Sequence, residues 1–352
     1  MKRVLVLLVA TFCVVMLSSF ASAELFRDEM VDPNGWGINQ STSDNTATFG
    51  YDYSADGIPE APNGQGGDAA TRGVKLESNN TDFVDSSEFF TLFPLGQNFT
   101  GNYQLQFDAW QNYSTFDREN NGGAGTTEFL GGGIGYDPNG TGNAGNGHQI
   151  ISTSEGGSGS DYRAFKGGLF IDNEDMACGS RNATGCGGSG PYETLFPGGT
   201  VPPVAQGQTG VPNESRPGSS SFQWYTHTIS VIGDEIRHQI TNDSGVRRNI
   251  LIYDNANADP NNGVPPPSVP TDGNISIFYA DFFSSVSPSA AVTFGIVDNV
   301  VVTIPEPTSV VMFAMGGLGL AFVGRRRKAM KVGRCDNQVP GRQFRQSTRM
   351  DC

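Results

Sequence analysis

Tyr103-Gln104-Leu105-Gln106-Phe107-Asp108-Ala109-Trp110 is the stretch that decides the fold class. Its period of two puts Tyr103, Leu105, Phe107 and Ala109 on one face of a strand, and Gln104, Gln106, Asp108 and Trp110 on the other. Runs of similar character occur at Ala47–Tyr53, Glu88–Phe93, Glu128–Tyr136, Tyr162–Ile171, Ser221–Ile232, Glu235–Thr241, Asn249–Tyr253, Ile275–Phe283 and Ala291–Thr303. Clusters of Gly, Asn, Asp and Pro separate them, and Gly233-Asp234 between two runs reads as a tight hairpin. No convincing 3.6-residue period appears outside two apolar runs near the chain ends. The expectation is an all-β fold, an antiparallel β-sandwich or jelly roll. Phe196–Ser220 and Asn255–Asp272 are long, Pro-rich connections and are expected to be surface loops.

The apolar runs near the ends have a different use. Lys2 and Arg3 precede Val4–Leu17, and Ala21-Ser22-Ala23 follows. A basic start, a short apolar core and Ala-x-Ala make a secretory signal helix cleaved after Ala23. Toward the other end, Pro305-Glu306-Pro307 is followed by the uncharged run Val310–Val323 and then by Arg325-Arg326-Arg327-Lys328. The prolines keep their segment extended. The run is somewhat shorter than the roughly 20 residues of a spanning helix. Snorkelling cations make up part of that length and favour the cytoplasmic side.

This order of features closely resembles the PEP-CTERM sorting signal of bacterial exported proteins. In that family Pro305, Glu306 and Pro307 would be read by a membrane-embedded sorting protease, exosortase. The resemblance implies a signal peptide at 1–23, an exported domain at 24–304 and a sorting signal with one transmembrane helix at 305–328. A basic tail without fixed structure follows at 329–352. The chain would be anchored transiently, with Glu24–Ile304 outside, and then processed.

Charge and cysteine usage agree with export. With 11 basic and 33 acidic residues, Glu24–Ile304 carries a net charge of −22. That argues against nucleic acid and against anionic lipid headgroups, and it leaves carboxylates free for divalent cations. Cys178 and Cys186 lie close together in a Gly-rich stretch and read as a local disulfide.

Phe107–Tyr113, Glu128–Gly135 and Ser160–Phe165 look like exported sandwich domains that accompany this signal in planctomycete-like bacteria. The hairpin Trp224–Thr241 and the strand Phe294–Thr303 are similar to the concanavalin A-like, laminin-G-like jelly roll. The resemblance implies two antiparallel sheets packed face to face. A site of the lectin kind combines an Asp, an Asn, a backbone donor and an aromatic platform. Trp110 and Tyr113 are the candidates for the platform, with Trp36 and Trp224 behind them. Packing inside the sandwich is the alternative for each of these rings. No cofactor is expected apart from Ca2+, for which Asp254, Asn257 and Asp259 supply oxygens in one loop, where ordinary turns are the alternative.

Enzyme signatures are absent or misplaced. Gly140-x-Gly142-x-x-Gly145 opens no helix, and there is no Gly-x-Ser-x-Gly, His-Glu-x-x-His or P-loop. Asp172 and Glu174 could share a strand face, yet the glycosidase pattern of alternating carboxylates is missing. The expectation is a non-enzymatic protein of the cell envelope or extracellular matrix with a structural or binding sandwich. A carbohydrate-binding module is the second reading and a concanavalin A-like glycosidase the third. The expected partners are the sorting protease, the membrane before processing, and extracellular polysaccharide.

Overall fold

The computed structural model describes residues 23–79, 87–120, 128–140, 146–155, 162–171, 191–256, 268–281 and 289–305. Its strands are β1 (Ala23–Asp28), β2 (Trp36–Gln40), β3 (Asn45–Asp52), β4 (Arg72–Ser78), β5 (Glu88–Pro94), β6 (Tyr103–Asn112), β7 (Glu128–Tyr136) and β8 (His148–Thr153). They continue with β9 (Tyr162–Lys166), β10 (Leu169–Ile171), β11 (Trp224–Ile232), β12 (Glu235–Asn242), β13 (Arg247–Asp254), β14 (Asn274–Asp281) and β15 (Phe294–Ile304). Two short helices, α1 (Thr115–Asn120) and α2 (Pro191–Leu195), lie in the connections. The compact unit that holds both sheets ends at Pro305.

One sheet has the order β13-β12-β11-β6-β15-β4-β3, with β1 also paired to β15; the other runs β10-β9-β8-β7-β14-β5-β2. Every pairing between these strands is antiparallel. The all-β sandwich expected from Tyr103–Trp110 is therefore what the chain forms. Tyr103, Leu105, Phe107 and Ala109 all enter the core between the sheets, and Trp110 lies in a separate cluster on the outer face.

The sheets approach closely because each offers bare backbone to an aromatic ring of the other. A Cβ on Gly132 of β7 would stand 2.8 Å from the Phe107 ring, and one on Gly295 of β15 would stand 2.9 Å from the Tyr279 ring. Only glycine leaves that space. Burying a Phe side chain contributes about 1.5–3 kcal/mol, so a methyl group at either glycine would displace a major contact.

Several expectations change in detail. Tyr162–Ile171 is two strands rather than one, because Gly167 and Gly168 both have positive φ and turn the chain between β9 and β10. That is the backbone a two-residue hairpin turn requires. Phe196–Ser220 lies on the surface as expected, with Val201, Val204 and Val211 exposed, but it is held in place by its own hydrogen bonds. Its two arms pair through Gly199 N–H to Ser215 O (2.8 Å) and Ser215 N–H to Thr200 O (2.7 Å). Its far end is tied to α1, where Thr115 donates to Asn213 (2.6 Å) and Gln208 accepts from the Thr115 N–H (2.8 Å).

Ala23, expected as the last signal residue, begins β1 and pairs with Ile304, so the strand reaches one residue upstream of the expected cut. Ala21, Glu306 onward, the Cys178–Cys186 pair, Asp172 and Glu174 lie outside the described residues. The signal helix and the transmembrane helix fall there too. Among the described residues no helix is long and apolar enough to cross a membrane.

Candidate ligand-binding groove

The outer face of the larger sheet is built around two tryptophans. Trp110 of β6 and Trp224 of β11 are cross-strand partners, with ring centroids 5.7 Å apart at 64°. Tyr53 meets Trp224 edge-on at 5.2 Å. Trp224 Nε1–H donates to Pro59 O at 2.7 Å, and Trp110 Nε1–H donates to Asn112 Oδ1 at 3.2 Å. Both indole N–H groups are thus satisfied and the ring orientations fixed.

Phe222 completes this floor. It adopts a positive φ of 60°, and its N–H donates to Gln111 O at 3.0 Å. The Phe196–Ser220 connection forms one wall through Thr200, Val201, Pro202, Pro203 and Val204. Asn112 and Gln206 hold that wall to β6 by reciprocal amide bonds of 2.8 and 3.1 Å. Pro59, Glu60 and Pro62 also line the groove, and Gln223 and Asp243 contribute polar groups. The open groove has a volume of about 460 Å³.

Beside the groove, Asp108 and Asp298 face each other across β6 and β15. Asp108 accepts from Asn63 N–H (3.0 Å), Asn63 Nδ2 (2.7 Å), Thr226 Oγ1 (2.7 Å) and Asn299 Nδ2 (2.8 Å). A bulge between Asp298 and Val301, with Asn299 at φ 54°, brings that last amide into place. Asn tolerates this backbone better than most residues. Asp298 accepts from Tyr53 OH (2.9 Å) and Asn299 N–H (2.7 Å). Burial pushes the Asp298 carboxyl up to about 7, and it raises Asp108 as well. A perturbed carboxylate pair is what hydrolytic chemistry would use. Here the pair is 0% and 2% exposed under the Tyr53–Asn63 segment, so a substrate bond has no path to it.

The candidates from the sequence separate. Trp110 lies at the floor of the groove but is only 2% exposed, so its edge rather than an open ring face borders the space. Tyr113, 1% exposed, is packed against Phe222 at 4.9 Å and is not a lining residue of the groove. Both are covered because the Phe196–Ser220 connection folds back over this face, a packing invisible to a period-two reading. Trp36 sits in the core beside Phe26 and Phe49. Asp254 is exposed and accepts the Ala256 N–H at 2.8 Å, an ordinary Asx turn, while Asn257 and Asp259 lie outside the described residues. Among the described residues no group of three or more His, Cys, Asp or Glu is placed to hold a metal ion.

Phe222, Gln223, Glu60 and Asp243 were missed by the sequence reading. The signal that pointed toward them was Trp224, which ends the Pro-rich connection and starts a strand.

The sheets and the groove define the class: an antiparallel β-sandwich with an aromatic-floored groove on one outer face. Residues 303–328 match the model of the PEP-CTERM protein-sorting motif, which marks the chain as exported and membrane-sorted. The match carries no information about a planctomycete-like source. No curated protein matches the chain. Among solved structures the chain is similar to the VIP36 exoplasmic/lumenal domain in its Ca2+/Man3GlcNAc-bound form, at 6% identity over 79% of this chain and 89% of that one, with a TM-score of 0.40. It is also similar to peanut lectin, at 6% identity, 80% and 98% coverage and a TM-score of 0.37. The carbohydrate-binding module CBM66 from Bacillus subtilis matches at 12% identity, 77% and 97% coverage and a TM-score of 0.35. No groove residue is assigned from any of them.

Proposed function

We propose that this is a protein of the cell envelope or extracellular matrix whose sandwich binds carbohydrate in the groove over Trp110 and Trp224. The groove itself is the observation that carries the reading. An apolar floor of Trp110, Trp224 and Phe222 suits the C–H face of a sugar ring. The Gln223, Thr200, Glu60 and Asp243 groups around it suit hydroxyls. Binding without hydrolysis is favoured because the neighbouring carboxylate pair is closed over.

Two of the chain's three tryptophans line the groove, so intrinsic fluorescence reports on it directly. The full-length protein, screened against a glycan array, is expected to bind a polysaccharide with a fluorescence change. Gln223→Ala should weaken that binding about three- to tenfold, the worth of one hydrogen bond. Absence of binding to any glycan would leave a purely structural role.

The second half of the reading is delivery. Val310–Val323 holds the chain in the membrane until a protease of the exosortase type cuts close to Pro305-Glu306-Pro307. In a host with that protease, Glu306→Ala is expected to stay in the membrane fraction at full length while the wild type is shortened. Equal processing of both would reduce the motif to a stiff stalk.

A further inference from the structure

We infer that the groove takes neutral glycan chains and rejects those bearing uronate or sulfate groups; this rests on the carbohydrate reading above and narrows its ligand class. The lining contributes the carboxylates Glu60 and Asp243, and no Lys or Arg is among the described lining residues. Arg247 and Arg248, four and five residues beyond Asp243, are not part of the lining. Arg247 is instead turned to Thr241, to which its Nε–H donates at 3.1 Å.

A neutral sugar loses nothing in such a site. Its hydroxyls donate to the two carboxylates and to the Gln223 carbonyl, and its apolar face covers the rings. An anionic sugar brings a charge of the same sign toward both lining carboxylates, over an apolar floor. Each such approach is repulsive, and the repulsion weakens as salt is raised. Among the described lining residues no guanidinium or ammonium reverses the sign. The surrounding domain adds repulsion, since Glu24–Ile304 carries −22, but that field fades over about 8 Å at physiological ionic strength. Rejection therefore depends on the two groove carboxylates more than on the rest of the surface.

The test uses the full-length protein with laminarin as a neutral polymer, polygalacturonate as an anionic one, and three chains: wild type, the double variant E60Q/D243N, and D234N. Asp234 sits in the turn at the far end of β11 from Trp224 and removes one charge without touching the groove. Wild type should bind the neutral polymer at least about tenfold more tightly than the anionic one. The double variant keeps the shape of both side chains. It should weaken neutral binding, since Glu60 and Asp243 accept the hydroxyls, while polygalacturonate affinity rises, so that the neutral-to-anionic ratio falls about tenfold or more, the fall shrinking as salt is raised. D234N should behave as wild type. If wild type binds the anionic polymer as well as the neutral one, the inference is wrong while the carbohydrate reading stands. An equal fall of the ratio in D234N, or none in the double variant, also overturns it. If neither polymer binds to any of the chains, and the array is empty too, the carbohydrate reading falls with it.

Discussion

The sandwich buries carboxylates in two places and treats them in opposite ways. On the outer face of the larger sheet, Asp108 is surrounded by four donors and Asp298 by two. Between the sheets, Glu88, Asp281 and Glu128 stand side by side on β5, β14 and β7, in direct register and 1–3% exposed. Neither Glu88 Oε2 nor Glu128 Oε2 has a hydrogen-bond partner among the described residues. Burial, reinforced by Asp281, lifts the Glu128 carboxyl well above the ordinary range. The difference shows that burial alone does not fix the state of an acid. Burial raises both carboxyls, but at Asp108 the surrounding donors oppose the rise, whereas at Glu128 the neighbouring Asp281 adds to it.

The largest test of that contrast is truncation. Asp108→Ala strands the amides of Asn63 and Asn299 and the hydroxyl of Thr226 in a buried site. It is expected to cost about 3–5 kcal/mol. Glu128→Gln replaces a neutral acid by a neutral amide and should stay within about 1 kcal/mol. Urea unfolding of the two variants measures both, and equal losses would erase the distinction.

A smaller effect is expected from pH. Asp298 titrates near 7 when folded, against 3.8 ordinarily, so the folded state holds more protons and stability falls as pH rises from about 4 to 7. His148, His227 and His238 act in the other direction. Burial lowers them to about 4, 3 and 3, so their contribution is lost as pH falls below about 6.5. Asp298→Asn removes only the first trend. Relative to wild type, its stability should climb between pH 4 and 7, by on the order of 3 kcal/mol for a group so little exposed. A pH-independent difference between the two melting temperatures would contradict the assignment.

Much of the architecture was legible. β6, β7 and the β11–β12 hairpin lie where the alternation and Gly233-Asp234 put them. β8, the six residues His148 to Thr153, was missed: it is short and follows directly on a Gly- and Asn-rich stretch that reads as a loop. β2 was missed because Trp36-Gly37-Ile38-Asn39-Gln40 is a short, polar edge strand, and β1 because it was read only as the start of the mature chain. The groove was half legible. Tryptophans mark themselves in a sequence, but the wall from Thr200 to Val204 depends on a connection folding back through contacts such as Asn112 with Gln206, far apart in the chain. Spacing cannot encode that.

The place of β15 has a mechanical consequence. Its last residues, Val302 and Thr303, are bonded to β6 on one side and β1 on the other, and Ile304 leads straight into Pro305. Any pull entering through Pro305 runs along the strand axis. It loads both rows of hydrogen bonds in shear, all at once, instead of unzipping them one by one. With β4 gripping the first half of β15, the domain meets tension through its most firmly held strand. A load entering there is thus shared among β6, β1 and β4.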